Sequence, residues 1–258
     1  MLLAIDSGNT NTVFAVIGGD GDILGQWRAS TNADRTADEI GIWLIQLMSL
    51  EGIERAGVNA AIIATVVPAT LFNLKSLCRQ YFSSEPLVVG ETKIDLDLKV
   101  LMNRPEEVGA DRLINAIAAH AHHGGPLIIV DFGTATTFDV VDGEGSYCGG
   151  AIAPGVNLSL EALHKAAAKL PRVAIERPAH VIGKGTTSAM QSGIFWGYVS
   201  MIEGIATRIQ DEFGSEMTVI ATGGLAPLFA KSVDCISRVD QDLTLKGLFM
   251  VHKRNAKS

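Results

Sequence analysis

"LLAIDSGNTNTVFAV", Leu2 to Val16, and "LIIVDFGTATTFDVV", Leu127 to Val141, are two versions of one pattern. Asp6 falls on Asp131, Gly8 on Gly133, Thr12 on Thr137 and Val16 on Val141, at a constant offset of 125. The match runs on weakly to Gly18 over Gly143 and Gly25 over Gly150. Each copy reads as an apolar strand, a small-residue turn, a second strand, and a Gly/Asp-rich turn into a third. A second pair follows in the same order. "AIIATVVPATLF", Ala61 to Phe72, lines up with "VIATGGLAPLF", Val219 to Phe229, with Ala64-Thr65 over Ala221-Thr222 at an offset of 157. Two collinear matches argue for an internal duplication rather than two similar hairpins.

The expected fold is therefore α/β: two like domains, residues 1–123 and 124–258, each a mixed sheet flanked by helices, facing each other across a cleft where ligands bind. Helical spacing predicts helices over Thr36 to Glu51, Ala69 to Phe82, and from Pro105 or Ala110 to His123, where Gly124-Gly125 ends the pattern. In the second half it predicts them over Leu158 to Ala168, Thr187 to Phe213 and Ala226 to Ser232.

The chain has 258 residues, of which 47% are hydrophobic and 19% charged, enough apolar material for a substantial core. Its formal net charge of −7 argues against a general nucleic-acid binder, because neutralising phosphates needs surplus Lys and Arg. Cys78, Cys148 and Cys235 are widely spaced and odd in number, which reads as reduced thiols rather than a disulfide framework or zinc site. No basic leader or membrane-length apolar run is seen, so a cytoplasmic protein with no membrane partner is expected.

A turn such as Asp6-Ser7-Gly8-Asn9-Thr10-Asn11-Thr12 carries backbone amides, hydroxyls and one carboxylate. Gly8 lets backbone approach a phosphate closely, and the neutral side chains donate without adding charge. Asp6 accepts only, which suits Mg²⁺ or its waters. Asp131-Phe-Gly-Thr-Ala-Thr-Thr repeats the arrangement. A pair of hairpins whose hydroxyls satisfy their own backbone would look the same in one copy. The repetition, each time directly after an apolar strand, favours phosphate binding. The turns are not Walker P-loops, since neither carries a lysine.

In "RPEEVGADRLINAIAAHAHHGG", Val108, Leu113, Ile114 and Ile117 form an apolar face, and Asp111 and Arg112 stand near a helix start. There a carboxylate can take a proton from a substrate hydroxyl while the arginine binds an anion, although the segment taken alone reads more simply as an N-terminal helix carboxylate with a neighbouring surface arginine. The histidines His120, His122 and His123 read as a solvated helix end rather than a metal site. "VIATGG" ends a strand in two glycines, suited either to a flat ligand or to a tight turn. In "GKGTTSAMQSG", Thr186 could cap a helix or donate to a substrate.

"DSGNTNT", "PEEVGADRLINAIAA", "DFGTATTFDVV", "GGAIAPG", "IGKGTTSAMQSG", "VIATGG" and "DLTLKGLFMVHKRN" occur in the order seen in type III pantothenate kinases, and the resemblance covers Leu3 to Asn255. That family has two ribonuclease H-like domains and belongs to the acetate kinase, sugar kinase, heat-shock ATPase and actin superfamily. The resemblance implies ATP-dependent phosphorylation of pantothenate, the first step toward coenzyme A. It implies ATP contacts from Asp6, Ser7, Gly8, Asn9, Thr10, Asn11, Thr12, Val13 and Thr134. It further implies Asp111 as proton acceptor, Gly109, Ala110, Asp111 and Arg112 lining the pantothenate site, and Thr186 touching pantothenate near a dimer interface. Asp131 matches the position that binds potassium or ammonium, and the family is homodimeric. Met102 replaces a tyrosine found in some members, and Gly185 a larger polar residue. Another superfamily kinase or phosphohydrolase, or a catalytically silent regulatory protein of the same fold, are the competing readings.

Overall fold

A computed structural model describes residues 1–166 and 170–256. The strands are β1 (Leu2–Ser7), β2 (Asn11–Ile17), β3 (Ile23–Ser30), β4 (Ala60–Thr65), β5 (Leu87–Val88), β6 (Leu127–Phe132), β7 (Ala135–Val141), β8 (Tyr147–Pro154), β9 (Thr218–Gly223) and β10 (Ile236–Val239). The helices are α1 (Ala37–Leu50), α2 (Leu71–Phe82), α3 (Ala110–His123), α4 (Val156–Ala166), α5 (Thr186–Phe213), α6 (Ala226–Phe229) and α7 (Leu243–Asn255). The strands form two five-stranded sheets, ordered β3-β2-β1-β4-β5 and β10-β9-β6-β7-β8, so the same topology occurs twice. In each, the first three strands make an antiparallel meander, and the fourth returns parallel to the first.

The chain divides into two compact units. The first holds Met1–Leu98, Arg104–Ala118 and the chain from Leu243 onward; the second holds Lys99–Asn103 and Ala119–Asp242. The expected boundary at 123/124 is thus corrected at the C-terminus. Leu245, Leu248 and Val251 of α7 are buried in one cluster with Leu2 and Ala4 of β1, Ile62 and Ala64 of β4, and Ile114 and Ile117 of α3. On the other face of that sheet, Leu3, Ile5, Ala61 and Ile63 pack with α1 and α2 through Leu44, Met48, Leu74 and Leu77. A sheet buried on both faces needs a helical layer on each, and α7 completes the second layer. The last turn of α3 counts with the second unit.

Helix ends follow local chemistry. Thr36 caps α1: its Oγ1 accepts the Glu39 N–H at 3.3 Å, while Glu39 Oε2 accepts the Thr36 N–H at 2.8 Å. That sets the start one residue later than the periodicity suggests. Pro68–Thr70 and Pro105–Glu107 form separate 3₁₀ turns ahead of α2 and α3, so α3 begins at Ala110. Helix α4 begins two residues earlier than expected, and the Ala167-Ala168 end of that expectation lies outside the described residues. Helix α6 stops at Phe229, short of Ser232.

The second repeat needs a correction of one residue. Leu2 pairs with Ala60 and Leu127 with Thr218, so Ala64 corresponds to Thr222 and Thr65 to Gly223. The reason is the strand's two-residue period. Ala61 and Ile63 share a face with Leu3 and Ile5, as Val219 and Ala221 do with Ile128 and Val130. The similar "AT" letters at 64–65 and 221–222 would put one strand's core residues on the wrong face.

Two imidazoles are held below their usual range. For His123, at the end of α3, the main cause is burial, opposed by Asp240 and reinforced by Arg238 and His122. Its Nε2 stands 3.7 Å from Asp240 Oδ2, so the solvated-end reading fails for this residue. For His252 in α7 the causes are burial, then Lys253. The unfolded chain takes up these protons near pH 6.5, and the folded chain resists them. Their contribution to stability is therefore complete above that pH and falls as the solution is acidified. Urea midpoints should drop between about pH 7.5 and 5.5, and less steeply in the His123→Gln/His252→Gln variant. Leu248→Ala should cost about 2–5 kcal/mol of unfolding free energy, measured by the same titration, because Leu248 is fully buried.

Candidate active site

The site is assembled from strand ends. Parallel pairing puts Ser7, the last residue of β1, beside Thr65, the last of β4. The chain continues from there as a tight turn in which the Gly8 N–H donates to the Asn11 carbonyl at 3.0 Å. Asn9, Thr10 and Asn11 are exposed, Asp6, Gly8 and Val13 are half-buried, and Ser7 and Thr12 are buried.

Burial separates the roles of these side chains. Ser7 Oγ lies 3.1 Å from Thr12 Oγ1 and 3.3 Å from Thr70 Oγ1. Thr12 Oγ1 lies 2.9 Å from Thr31 Oγ1, and Thr70 Oγ1 lies 3.3 Å from Thr65 Oγ1. Thr65 also donates to the Ser7 carbonyl at 3.3 Å. Five hydroxyls thus tie together the ends of β1, β2 and β4, the segment after β3, and the turn before α2. The Ser7 and Thr12 hydroxyls are buried in this network, while Asn9, Thr10 and Asn11 are exposed. Thr31, Thr65 and Thr70 escaped the sequence reading because they are distant in the chain, and only the register reveals them.

Asp111 belongs to the same unit. Its Oδ1 accepts the Arg112 N–H at 2.8 Å in the first turn of α3. Gly109 makes this fold-back possible: a Cβ there would sit 2.6 Å from Asp111 Oδ1 and 3.5 Å from Val66 Cγ1. Val66 in turn donates its N–H to the Ser7 carbonyl at 3.1 Å. Gly109 is thus a near neighbour of Val66, which places the carboxylate segment close to the end of β1. Ala110 and Arg112 flank Asp111, both half-buried.

The second unit uses the duplicated positions differently. Asp131 is half-buried at the end of β6, opposite Thr137, and Gly133 and Thr134 are exposed at the turn. Gly223 stands where the first unit has Thr65. Its backbone is left-handed, with φ +87°, and a Cβ there would meet Asp131 Oδ1 at 2.6 Å and the Phe132 carbonyl oxygen at 2.7 Å. In the first unit the equivalent carbonyl, that of Ser7, takes the Thr65 hydroxyl; here a carboxylate and a carbonyl oxygen border a space with no side chain. An all-oxygen cradle of this kind fits a hard cation.

Thr186 is exposed at the first position of α5 and is not its cap. Gly185 holds that place, and Ser188 Oγ accepts the Gly185 N–H at 3.1 Å and donates to the Gly185 carbonyl at 3.0 Å. A Cβ at Gly185 would meet nothing within 4 Å, so the glycine there leaves open space. Among the described residues no group of three or more His, Cys, Asp and Glu is arranged to hold a metal ion. The three cysteines are free. No helix among the described residues is long and apolar enough to cross a membrane.

Residues 2–208 match the type III pantothenate kinase family. The chain belongs to that family. It is 66% identical over 256 residues to a type III pantothenate kinase of Paramagnetospirillum magneticum, covering 99% of this chain and 98% of that protein. It is 67% identical over 255 residues to one from Rhodospirillum rubrum, covering 99% of both. Solved structures extend the likeness of fold. A Baf family protein from Campylobacter jejuni superposes with a TM-score of 0.60 at 18% identity, covering 99% of this chain and 100% of that one. The activator of 2-hydroxyisocaproyl-CoA dehydratase from Clostridium difficile gives 0.54 at 11%, covering 99% and 96%. At such identities these two show a shared duplicated α/β architecture.

The family assignment makes the Gly109 contact testable. Gly109→Ala should displace the end of the Asp111 side chain and lower kcat at least about tenfold, with little change in thermal midpoint because the crowded atom is a side-chain terminus. Equal kcat in steady-state kinase assays of both proteins would refute the contact's importance.

Proposed function

We propose that this protein transfers the γ-phosphoryl group of ATP to the primary hydroxyl of pantothenate, giving 4′-phosphopantothenate at the head of coenzyme A synthesis. The observation that carries the reading is the Asp111 carboxylate, folded back over Gly109 and linked through Val66 to the end of β1. Strand ends of this kind are where α/β sheets bind their ligands.

In this reading Asp6 to Val13 receive ATP phosphates, through backbone amides and the exposed Asn9, Thr10 and Asn11 side chains, and Thr134 makes a further nucleotide contact. Gly109, Ala110 and Arg112 line the pantothenate site, with Arg112 offering a cation to its carboxylate. Asp111 orients the attacking hydroxyl and accepts its proton. A carboxylate in this place is sufficient, because a loose phosphoryl transition state asks mostly for alignment and charge neutralisation.

Asp131, with the Phe132 carbonyl over Gly223, would hold potassium or ammonium, and Asp6 would hold Mg²⁺ together with phosphate oxygens and water. These ions supply positive charge against the phosphates. We assign the two units to the ribonuclease H-like type and the protein to the cytoplasm. We further assign it a homodimeric state in which Thr186 contacts pantothenate near the interface. The exposed Ile152, Leu158, Val181 and Ile182, in the same unit as Thr186, support that assembly.

Asp111→Asn should lower kcat by about 10²-fold or more while ATP still binds, because the amide aligns but does not accept the proton. Comparable turnover by the two proteins would remove Asp111 from the chemistry. Turnover should also require potassium or ammonium. Equal rates in sodium alone would overturn the cation assignment, and Gly223→Ala, which fills the cradle, should abolish the potassium response even at saturating salt.

A further inference from the structure

Thr31, just beyond β3, is absent from every motif that points to the site, yet it grips the first turn twice. Its Oγ1 donates to the Gly8 carbonyl at 2.6 Å, and its N–H donates to the Thr10 carbonyl at 3.0 Å. The same Oγ1 lies 2.9 Å from Thr12 Oγ1, which joins it to the buried hydroxyl network. Thr31 itself is half-buried.

A turn that receives phosphates has to keep its own carbonyl oxygens away from them. In a planar trans peptide the C=O of one residue and the N–H of the next point in opposite directions. Drawing the Gly8 carbonyl onto Thr31 therefore turns the Asn9 N–H away from Thr31. Drawing in the Thr10 carbonyl does the same for the Asn11 N–H. The Asn11 carbonyl is occupied by the Gly8 N–H. With the Gly8, Thr10 and Asn11 carbonyls engaged from within the chain, the Asn9 and Asn11 N–H groups are the donors turned away from Thr31.

The second copy shows the same device in different material. Gly155, just after β8, donates its N–H to the Thr134 carbonyl at 3.0 Å. A Cβ on Gly155 would lie 2.2 Å from that oxygen and 2.6 Å from the Gly133 carbonyl. In both units the residue leaving the third strand controls the carbonyls of the first turn.

We infer that Thr31 is a positioning residue for nucleotide phosphates, setting the amide directions of the Gly8–Asn11 turn through its hydroxyl. The inference rests on the proposed kinase reading, in which that turn receives ATP. Thr31→Val keeps the shape and the backbone N–H but removes the hydroxyl; Thr31→Ser restores it. Thr31→Val should raise KM for ATP about tenfold, with kcat and KM for pantothenate changing less than about threefold. Its affinity for ADP should fall in parallel, and its affinity for adenosine, which has no phosphate, should be that of the unaltered protein. Thr31→Ser should behave as the unaltered protein in all five measurements. A merely structural role would move adenosine and pantothenate together with ATP, and that result overturns the inference, as does an unchanged ATP KM in Thr31→Val. Gly8→Val tests the underlying reading separately. If it raises ATP KM and Thr31→Val does not, only the role of Thr31 falls; if neither does, the turn is not the phosphate site.

Discussion

The parallel pairing of the first strand with the fourth is the constraint on which the site depends. It places Ser7 beside Thr65 in one unit and Phe132 beside Gly223 in the other. Parallel neighbours end on the same side of the sheet, so the turn after β1 and the segment after β4 leave together. From that shared exit come the hydroxyl network, the Val66 bridge to Asp111, and the oxygen cradle at Asp131. A slip of one residue would exchange the faces of β4 or of β9, and with them the features built on that unit's strand ends.

What holds the first turn is neutral. Ser7, Thr12, Thr31, Thr65 and Thr70 satisfy one another or the backbone, and none brings a charge into the interior. Hydroxyls lose less on burial than ions, and each both donates and accepts, so a chain of them closes without strict complementarity of charge. The support beneath the turn fixes its geometry without adding charge.

Much of this was legible in the sequence, for reasons that can be named. The repeat around Asp6 and Asp131 showed because apolar alternation, a glycine and a carboxylate all fall at fixed spacing along one short segment. Asp111 showed because a helix start carries its own marks. The error of one residue in the second repeat arose where local letters and sheet register disagree: "AT" recurs, but the side of the sheet is decided by Leu3 and Ile5, some sixty residues away. Thr31, Thr65 and Thr70 carry no local signal, being threonines in ordinary loop and strand-end surroundings whose partners lie in other segments. The C-terminal helix is not among the helices that spacing predicts, and its residues were placed in the other unit, since local spacing does not show which face a segment meets.

Gly155 and Thr31 stand at the same exit in two descendants of one ancestral half, and their difference has a direction. A protein with threonine at the first exit can accept serine there without repacking. The second exit admits no side chain at all, because backbone oxygens already occupy the space a Cβ would need. One copy thus retains an adjustable latch, while the other has become a rigid seam. Drift in the two halves is accordingly unequal: substitutions that retune the first turn are open to selection, whereas the corresponding position in the second is closed in a single step.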